Sequence, residues 1–416
     1  GGCAGYTCAH DLARLGYSVT LYERWEKSGG QLVQGVPINR LSRSVVENEL
    51  ASIELFGNIE VKNGVDVGKD IPFQELEKTH GAVFLGVGLA KGKSIPIPNA
   101  DHPDVHVGLA FLFDFNMREA WDLSSTRSIV IGGGDVAFDV ARSALRCGSP
   151  EVQLACLERE RLNEMTGSVD ERDGGRREGV VINDGWGPRE IVVEDGKIKG
   201  LLVSKVIRVF DEEGKFSPQL EEETRLIEGD AVFMAVGQGS DLGFLEGSGV
   251  DVTPQGWVKV ANDETMQTSK PNVYAGGDIA LGPKLFIDAV ASGSKAAMGI
   301  HAHLSGGQPL TLKRKLTFTD LPEYDRGSVY VDDERDEREE LPVKPAEQPE
   351  FNTTVEYPDE EAKKQSARCL ECHIHPTFEG DICILCGGCV DVCPSFCLSM
   401  KTIDQVDGGE ELKVLA

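Results

Sequence analysis

Residues 128–142, SIVIGGGDVAFDVAR, constrain the fold of this chain more than any other stretch. Ile129, Val130 and Ile131 form an uninterrupted apolar run, the pattern of a strand buried on both faces. Glycines follow at once, and then Ala137, Val140 and Ala141 recur at helical spacing. Gly132, Gly134 and Ala137 occupy the three fixed positions of a G-x-G-x-x-G/A turn. The first permits a tight turn, the second lets backbone approach a pyrophosphate, and the small third side chain lets helix and strand pack closely. The N–H groups and dipole at the start of such a helix favour an anion. A further apolar strand is expected over Val152–Leu157. Glu158 follows it, placed to accept hydrogen bonds from a ribose 2′-hydroxyl. A glycine-rich turn alone is a weak signal; strand, turn, helix, strand and carboxylate together describe a dinucleotide-binding unit.

The first residues, GGCAGYTCAHDLARLGYSVTLYER, read as a second unit of the same kind entered partway. Gly2 and Gly5 fit the second and third glycines. A helix is expected over Tyr6–Leu15, ended by Gly16, then a strand over Ser18–Tyr22 with Glu23 as its ribose-binding carboxylate. The first glycine and its preceding strand are absent, so the natural chain is expected to extend upstream. Gly29-Gly30-Gln31-Leu32 and Gly35-Val36-Pro37 read as loops that bring backbone against a flat ring. A helix over Val45–Phe56 and strands over Glu60–Val67 and Ala82–Val87 follow. The last of these leaves through Gly86-Val87-Gly88, and Lys91–Pro98 crosses into another domain. From Val180 to Val236 the pattern is strand-rich, with hairpin turns at Asp195-Gly196 and near Glu213-Gly214. Its last strand, Ala231–Val236, again exits on a glycine, Gly237. Two units with a fingerprint, a carboxylate and a glycine exit imply an internal duplication. Asn272–Ala280 then offers a short strand, Gly276-Gly277 and Asp278. That carboxylate, ahead of a helix over Leu285–His303, suits a sugar-like hydroxyl chain.

Charge and cysteine usage set the remaining bounds. A net charge of −27 argues against binding nucleic acid or an anionic membrane surface. There is no run of 18 apolar residues, hence no expected membrane insertion, and no visible signal peptide; the expected location is cytoplasmic. Residues 307–360 read as an acidic linker or wrapping arm, with Val331–Leu341 almost wholly charged and five prolines between Pro322 and Pro358. Seven of the eleven cysteines lie between Cys369 and Cys397, a clustering that points to metal rather than disulfides. Cys383-x2-Cys386-x2-Cys389-x3-Cys393-Pro394 is the bacterial ferredoxin spacing for a [4Fe–4S] cluster; a zinc knuckle is the alternative. Cys369, Cys372 and Cys397 complete the seven. Two cubanes need eight ligands, so either one cluster is present or a second borrows a ligand from elsewhere. Cys3 and Cys8 belong to the glycine turn that opens the chain, and Cys147 and Cys156 stand nine positions apart, so neither pair reads as a redox dithiol.

The order of these motifs resembles the glutamate synthase small-subunit family of FAD-dependent pyridine nucleotide oxidoreductases over roughly residues 1–306. The segments that carry the resemblance are AGYTCAHDLARLGYSVTLYE, GGQLVQGVPINRL, VIGGGDVAFDVARSALRCG, NDGWGPREI and AGGDIALGPKLFIDAVASG. The tail looks like the iron–sulfur extension of members that act as electron-transfer subunits. The resemblance implies an α/β fold with two Rossmann-like domains, the FAD domain (1–104 and 261–306) split around the NAD(P) domain (105–260). A small ferredoxin-like iron–sulfur domain (361–416) follows. It implies FAD contacts from Gly2, Gly5, Glu23, Gly30, Gly88 and Asp278, and nicotinamide nucleotide contacts from Gly132, Gly134, Ala137 and Glu158 with Gly237 nearby.

Two departures qualify the resemblance. The glutamate synthase subunit carries its cluster cysteines ahead of the FAD domain, whereas here a cluster motif lies behind it. NADP-binding members usually show paired arginines where this chain has Glu158-Arg159. Glu158 favours NAD over NADP, although Arg159 and Arg161 remain within reach of a 2′-phosphate. The implied function is hydride exchange between NAD(H) and FAD, followed by single electrons through [4Fe–4S] to or from ferredoxin or a partner redox subunit in a hetero-oligomeric complex. No catalytic acid or base is needed. The rivals are a glutamate synthase-type NADPH reductase and a relay or bifurcating scaffold whose nucleotide site is not catalytic.

Overall fold

The computed structural model describes residues 1–117, 121–211, 213–307 and 356–367, together with Pro345 and Glu347. The chain divides into two units, Gly1–Phe318 with Glu339–Glu356, and Thr319–Arg338 with Tyr357–Ala416. In the second unit the described residues form one helix, Asp359–Ala367. The cysteines from Cys369 to Cys397 and nearly all of the acidic 307–360 segment lie outside the described residues.

The first unit opens with helix α1 (Cys3–Arg14), which starts three residues earlier than its apolar pattern suggests because Gly2 adopts an extended conformation and begins the helix directly. Strand β1 (Val19–Glu23) follows; its partner β2 (Ile59–Asn63) runs parallel after helix α2 (Arg43–Glu54). Between them, Gln31–Gln34 form a one-turn helix where loop was expected. Strand β3 (Val83–Leu85) is short, since Gly86 and Gly88 stop it.

The chain then enters a second sheet through β4 (Val105–Val107) and helix α3 (Gly108–Met117). Strand β5 (Ser128–Ile131), helix α4 (Asp135–Arg146), strand β6 (Val152–Cys156), helix α5 (Val169–Glu178) and strand β7 (Val181–Asp184) are the expected nucleotide unit. An antiparallel layer of β8 (Trp186–Glu194), β9 (Lys197–Phe210) and β10 (Phe216–Glu228) turns at Asp195-Gly196 and near Gly214, as the sequence indicates. Strand β11 (Ala231–Met234) returns to the parallel sheet, whose order is β4-β11-β5-β6-β7. Its central strands are buried on both faces, with Ile129, Val130, Val152, Leu154, Val232 and Phe233 wholly inaccessible. Each such side chain contributes about 1.5–3 kcal/mol by burial.

The last part of the unit rejoins the first. Strands β12 (Val260–Asn262), β13 (Gln267–Thr268) and β14 (Val273–Ala275) form one sheet with β3, and β14 pairs with β3 in parallel. Helix α6 (Phe286–Ser305) then packs on α1. The two helices approach so closely that a side chain at Gly293 would collide with the Ala4 carbonyl. Where the chain crosses out and back, Lys91 and Gly92 pair antiparallel with Gly239 and Gln238, joining the two glycine exits read from the sequence. Among the described residues no helix is long and apolar enough to cross a membrane.

Candidate functional site

Gly2, Gly5, Glu23, Gly30, Gly88 and Asp278 line one cleft of about 350 Å³. They come from five places in the sequence: the start of α1, the end of β1, the turn before Gln31–Gln34, the exit of β3 and the exit of β14. Glu23 is buried at the end of β1, accepts the Trp25 N–H at 3.0 Å, and lies 3.0 Å from the Gly1 nitrogen. Gly30 sits in the left-handed region (φ 54°), and a Cβ there would stand 2.8 Å from the Cα of Gly2. Gly29 N–H donates to the Gly1 carbonyl at 2.7 Å, so this turn is laid directly across the entrance to α1. The result is a cradle of bare backbone that side chains would fill. Asp278 closes the other side, and burial pushes its carboxyl above the ordinary carboxylate range. The donor set fits a dinucleotide: backbone and a helix N-terminus for pyrophosphate, and one carboxylate at each end for hydroxyls.

The second site lies where strand order reverses, between β5 and β11, the place where open parallel sheets bind ligands. Gly132 has φ 142°, and a Cβ there would collide with the Ala235 carbonyl oxygen. Ala137 is completely buried beneath the turn, as its fingerprint role requires. Gly134 starts α4 in an extended conformation. Glu158 stands two residues beyond β6 and reaches back to the turn: a Cβ on Gly133 would lie 2.8 Å from its Oε2. Burial raises this carboxyl, and the nearby Glu164 charge adds to the effect. Gly237, at the exit of β11, accepts the Lys93 N–H at 3.0 Å on the crossover segment. Here too the residues fit a dinucleotide: a glycine cradle at a helix start with a carboxylate over it.

The segment after Glu158 plays a larger part than its sequence suggests. Gly167 N–H donates to the Gly133 carbonyl at 2.9 Å and Ser168 N–H to Asp135 Oδ1 at 2.7 Å, so residues 166–168 fold over the fingerprint turn. The available signal was Ser168-x-x-Glu171, the spacing of a helix start at α5. Arg159, read as free to meet a 2′-phosphate, is instead held by Glu164, with Nη2–Oε1 at 2.6 Å and Nε–Oε2 at 2.8 Å.

Cys3 and Cys8 line the first cleft. Cys3, Cys8, Cys147 and Cys156 are unpaired by disulfides, and burial raises all four thiols, Cys147 to about 11. Among the described residues no group of His, Cys, Asp and Glu could hold a metal ion.

A family model described as pyridine nucleotide-disulphide oxidoreductase matches residues 1–293. The chain belongs to that family of oxidoreductases. The beta subunit of the NADP(+)-dependent formate dehydrogenase of Moorella thermoacetica is 35% identical over 310 residues, covering 74% of this chain and 43% of that protein. The small chain of NADPH glutamate synthase from Halomonas elongata is 32% identical over 320 residues, 73% of this chain and 66% of that one. Subunit PreT of the NAD-dependent dihydropyrimidine dehydrogenase of Escherichia coli O157:H7 is 34% identical over 307 residues, 73% and 67% of the two chains. Within the family, then, this is a glutamate synthase small-subunit-like oxidoreductase. The chain spans less than half of the formate dehydrogenase subunit and about two thirds of the other two.

Proposed function

We propose that this chain is the reductase component of a larger redox assembly, binding FAD in the first cleft and NAD(H) in the second, with an exit for single electrons through [4Fe–4S] at its C-terminal cysteines. The observation that carries the reading is the convergence of Gly2, Gly5, Glu23, Gly30, Gly88 and Asp278 on one cleft, beside a complete second fingerprint. In this reading the domains are those read from the sequence, with residues 1–104 and 261–306 around residues 105–260. The bound cofactors supply the hydride exchange and the conversion of electron pairs to single electrons.

The chain's own residues bind and orient. Glu23 accepts from the ribose of FAD, Asp278 from its ribityl chain, and the start of α1 faces its pyrophosphate. Gly132 and Gly134 admit the second pyrophosphate, and Glu158 accepts from the adenosine ribose. With Cys3 and Cys8 read as part of the glycine turn, and Cys147 and Cys156 too far apart in sequence for a redox pair, electrons are directed to Cys383, Cys386, Cys389 and Cys393, with Cys369, Cys372 and Cys397 as the remaining ligand supply. The three relatives are all named as subunits or small chains, which supports a hetero-oligomeric setting with a partner redox subunit or ferredoxin.

Metal and flavin analysis of the full chain purified without oxygen tests this. The expected result is bound FAD, iron with matching acid-labile sulfide, and a reduced-cluster EPR spectrum that Cys386→Ser weakens or removes. Zinc in place of iron, or FAD-loaded protein without any metal, contradicts the electron exit.

A further inference from the structure

The strand exit at Glu158 is followed by a compact set of charges that the nucleotide reading leaves unexplained. The Arg159 guanidinium is held by Glu164 and by a backbone carbonyl. Nε and Nη2 donate to the two oxygens of Glu164 at 2.8 and 2.6 Å, and Nη1 donates to the Ile207 carbonyl at 2.9 Å. Glu164 Oε2 also accepts the Arg159 backbone N–H at 3.0 Å. The pair is half-buried, with side chains 22% and 19% exposed, and Arg159 holds the Glu164 carboxyl below the ordinary carboxylate range. The neighbouring arginines are engaged as well: Arg172 lies 3.5 Å from Glu160, and Arg176 is bonded to it. Arg161 is exposed.

A guanidinium fork meets a carboxylate and a phosphate with the same two-point geometry. Glu164 therefore occupies Arg159 in the manner a 2′-phosphate would. We propose that Glu164 is a specificity-determining residue: by pinning Arg159 it withholds the cation a 2′-phosphate needs, and so fixes the preference for NAD over NADP. The inference rests on the second cleft being a nicotinamide nucleotide site. It differs from the familiar role of Glu158, which repels a 2′-phosphate directly. A 2′-phosphate arriving here meets Glu158, Glu160 and Glu164 and finds Arg159 already neutralised. Glu164→Gln keeps the acceptor for the Arg159 N–H but removes the charge, releasing the fork while Glu158 stays in place.

Calorimetric binding of NAD+ and NADP+ to the full, FAD-loaded chain tests this without turnover. The wild type is expected to bind NAD+ more tightly. In Glu164→Gln the NADP+/NAD+ ratio of Kd values is expected to fall roughly tenfold or more, the scale of one hydrogen bond to a charged group. Adding Arg159→Ala to that variant should abolish the gain. An unchanged ratio in Glu164→Gln, or a gain that survives Arg159→Ala and so belongs to another cation such as Arg161, overturns the role of Glu164. A wild type that prefers NADP+, or binds neither nucleotide, instead overturns the NAD reading itself.

Discussion

Arg40 Nη1 donates to Asp139 Oδ1 at 2.7 Å, joining two residues 99 positions apart. The bond ties the segment after the Gly30 turn to the middle of the fingerprint helix α4. Arg40 Nη2 also lies 3.0 Å from Glu171, which accepts from Arg142 at 2.7 Å, and Arg142 and Arg146 both meet Glu178. Asp139, Arg142, Arg146 and Glu171 are buried. Charges buried singly are costly, and this network stands because each has an opposite partner. Nearby, Gln34 O accepts from Asn116 Nδ2 at 2.9 Å, so the one-turn helix against the first cleft and the helices beside the second are held in one register.

This network makes stability depend on pH in a defined direction. Burial pushes the Asp139 carboxyl up to about 7, with Arg40 opposing the rise and Glu171 adding to it. Between about 4 and about 7 the folded state holds this proton more tightly than the unfolded chain, so the stability it contributes is lost as pH rises through 7. Asp139→Asn lacks that proton. The wild type is expected to lose up to roughly 1.4 kcal/mol per pH unit relative to the variant across that window. Thermal unfolding of both proteins from about pH 5 to about pH 8 checks this; parallel curves contradict it.

Gly132→Ala places a methyl against the Ala235 carbonyl at φ 142°. The expected cost is about 1–3 kcal/mol of stability. Nucleotide binding is expected to fall further than FAD content, because the turn sits in the second cleft and the first is untouched. A variant with wild-type nucleotide affinity contradicts the placement of the pyrophosphate.

Glu158→Ala removes ribose hydrogen bonds and a repelling charge together. NADH affinity is expected to drop roughly tenfold, the scale of one such bond, with NADPH little affected or improved. Dissociation constants for both nucleotides provide the check. Equal losses contradict the NAD assignment.

Cys386→Ser is expected to leave flavin reduction by NADH intact while slowing delivery to a one-electron acceptor. Stopped-flow reduction of the flavin, compared with steady-state acceptor reduction, separates the two. Flavin reduction lost in a variant that still holds FAD places the cluster on the wrong side of the flavin.

Much of this architecture is legible in the residues because parallel strands buried on both faces leave dense signals. Ile129–Ile131 and Val152–Leu154 are apolar at every position or nearly so, and glycines mark each exit. Fixed spacing then locates Glu23 and Glu158 without any structure. What was not legible is contact between segments that carry no period. Gln31–Gln34 is one turn, too short for a helical pattern to show. Arg40 and Asp139 are joined only by the return of the chain, and Glu164 lies in an irregular stretch whose direction depends on the fold over Gly133–Asp135. Ion pairs of this kind follow from topology, and no spacing rule anticipates them.

The most direct test of the account is anaerobic stopped-flow mixing of the full chain with NADH, following flavin bleaching and cluster absorbance together. The account predicts rapid bleaching with NADH, slower or absent bleaching with NADPH, and cluster reduction after the flavin. A flavin that stays oxidised with either nucleotide, while FAD is bound, contradicts the hydride route between the two clefts.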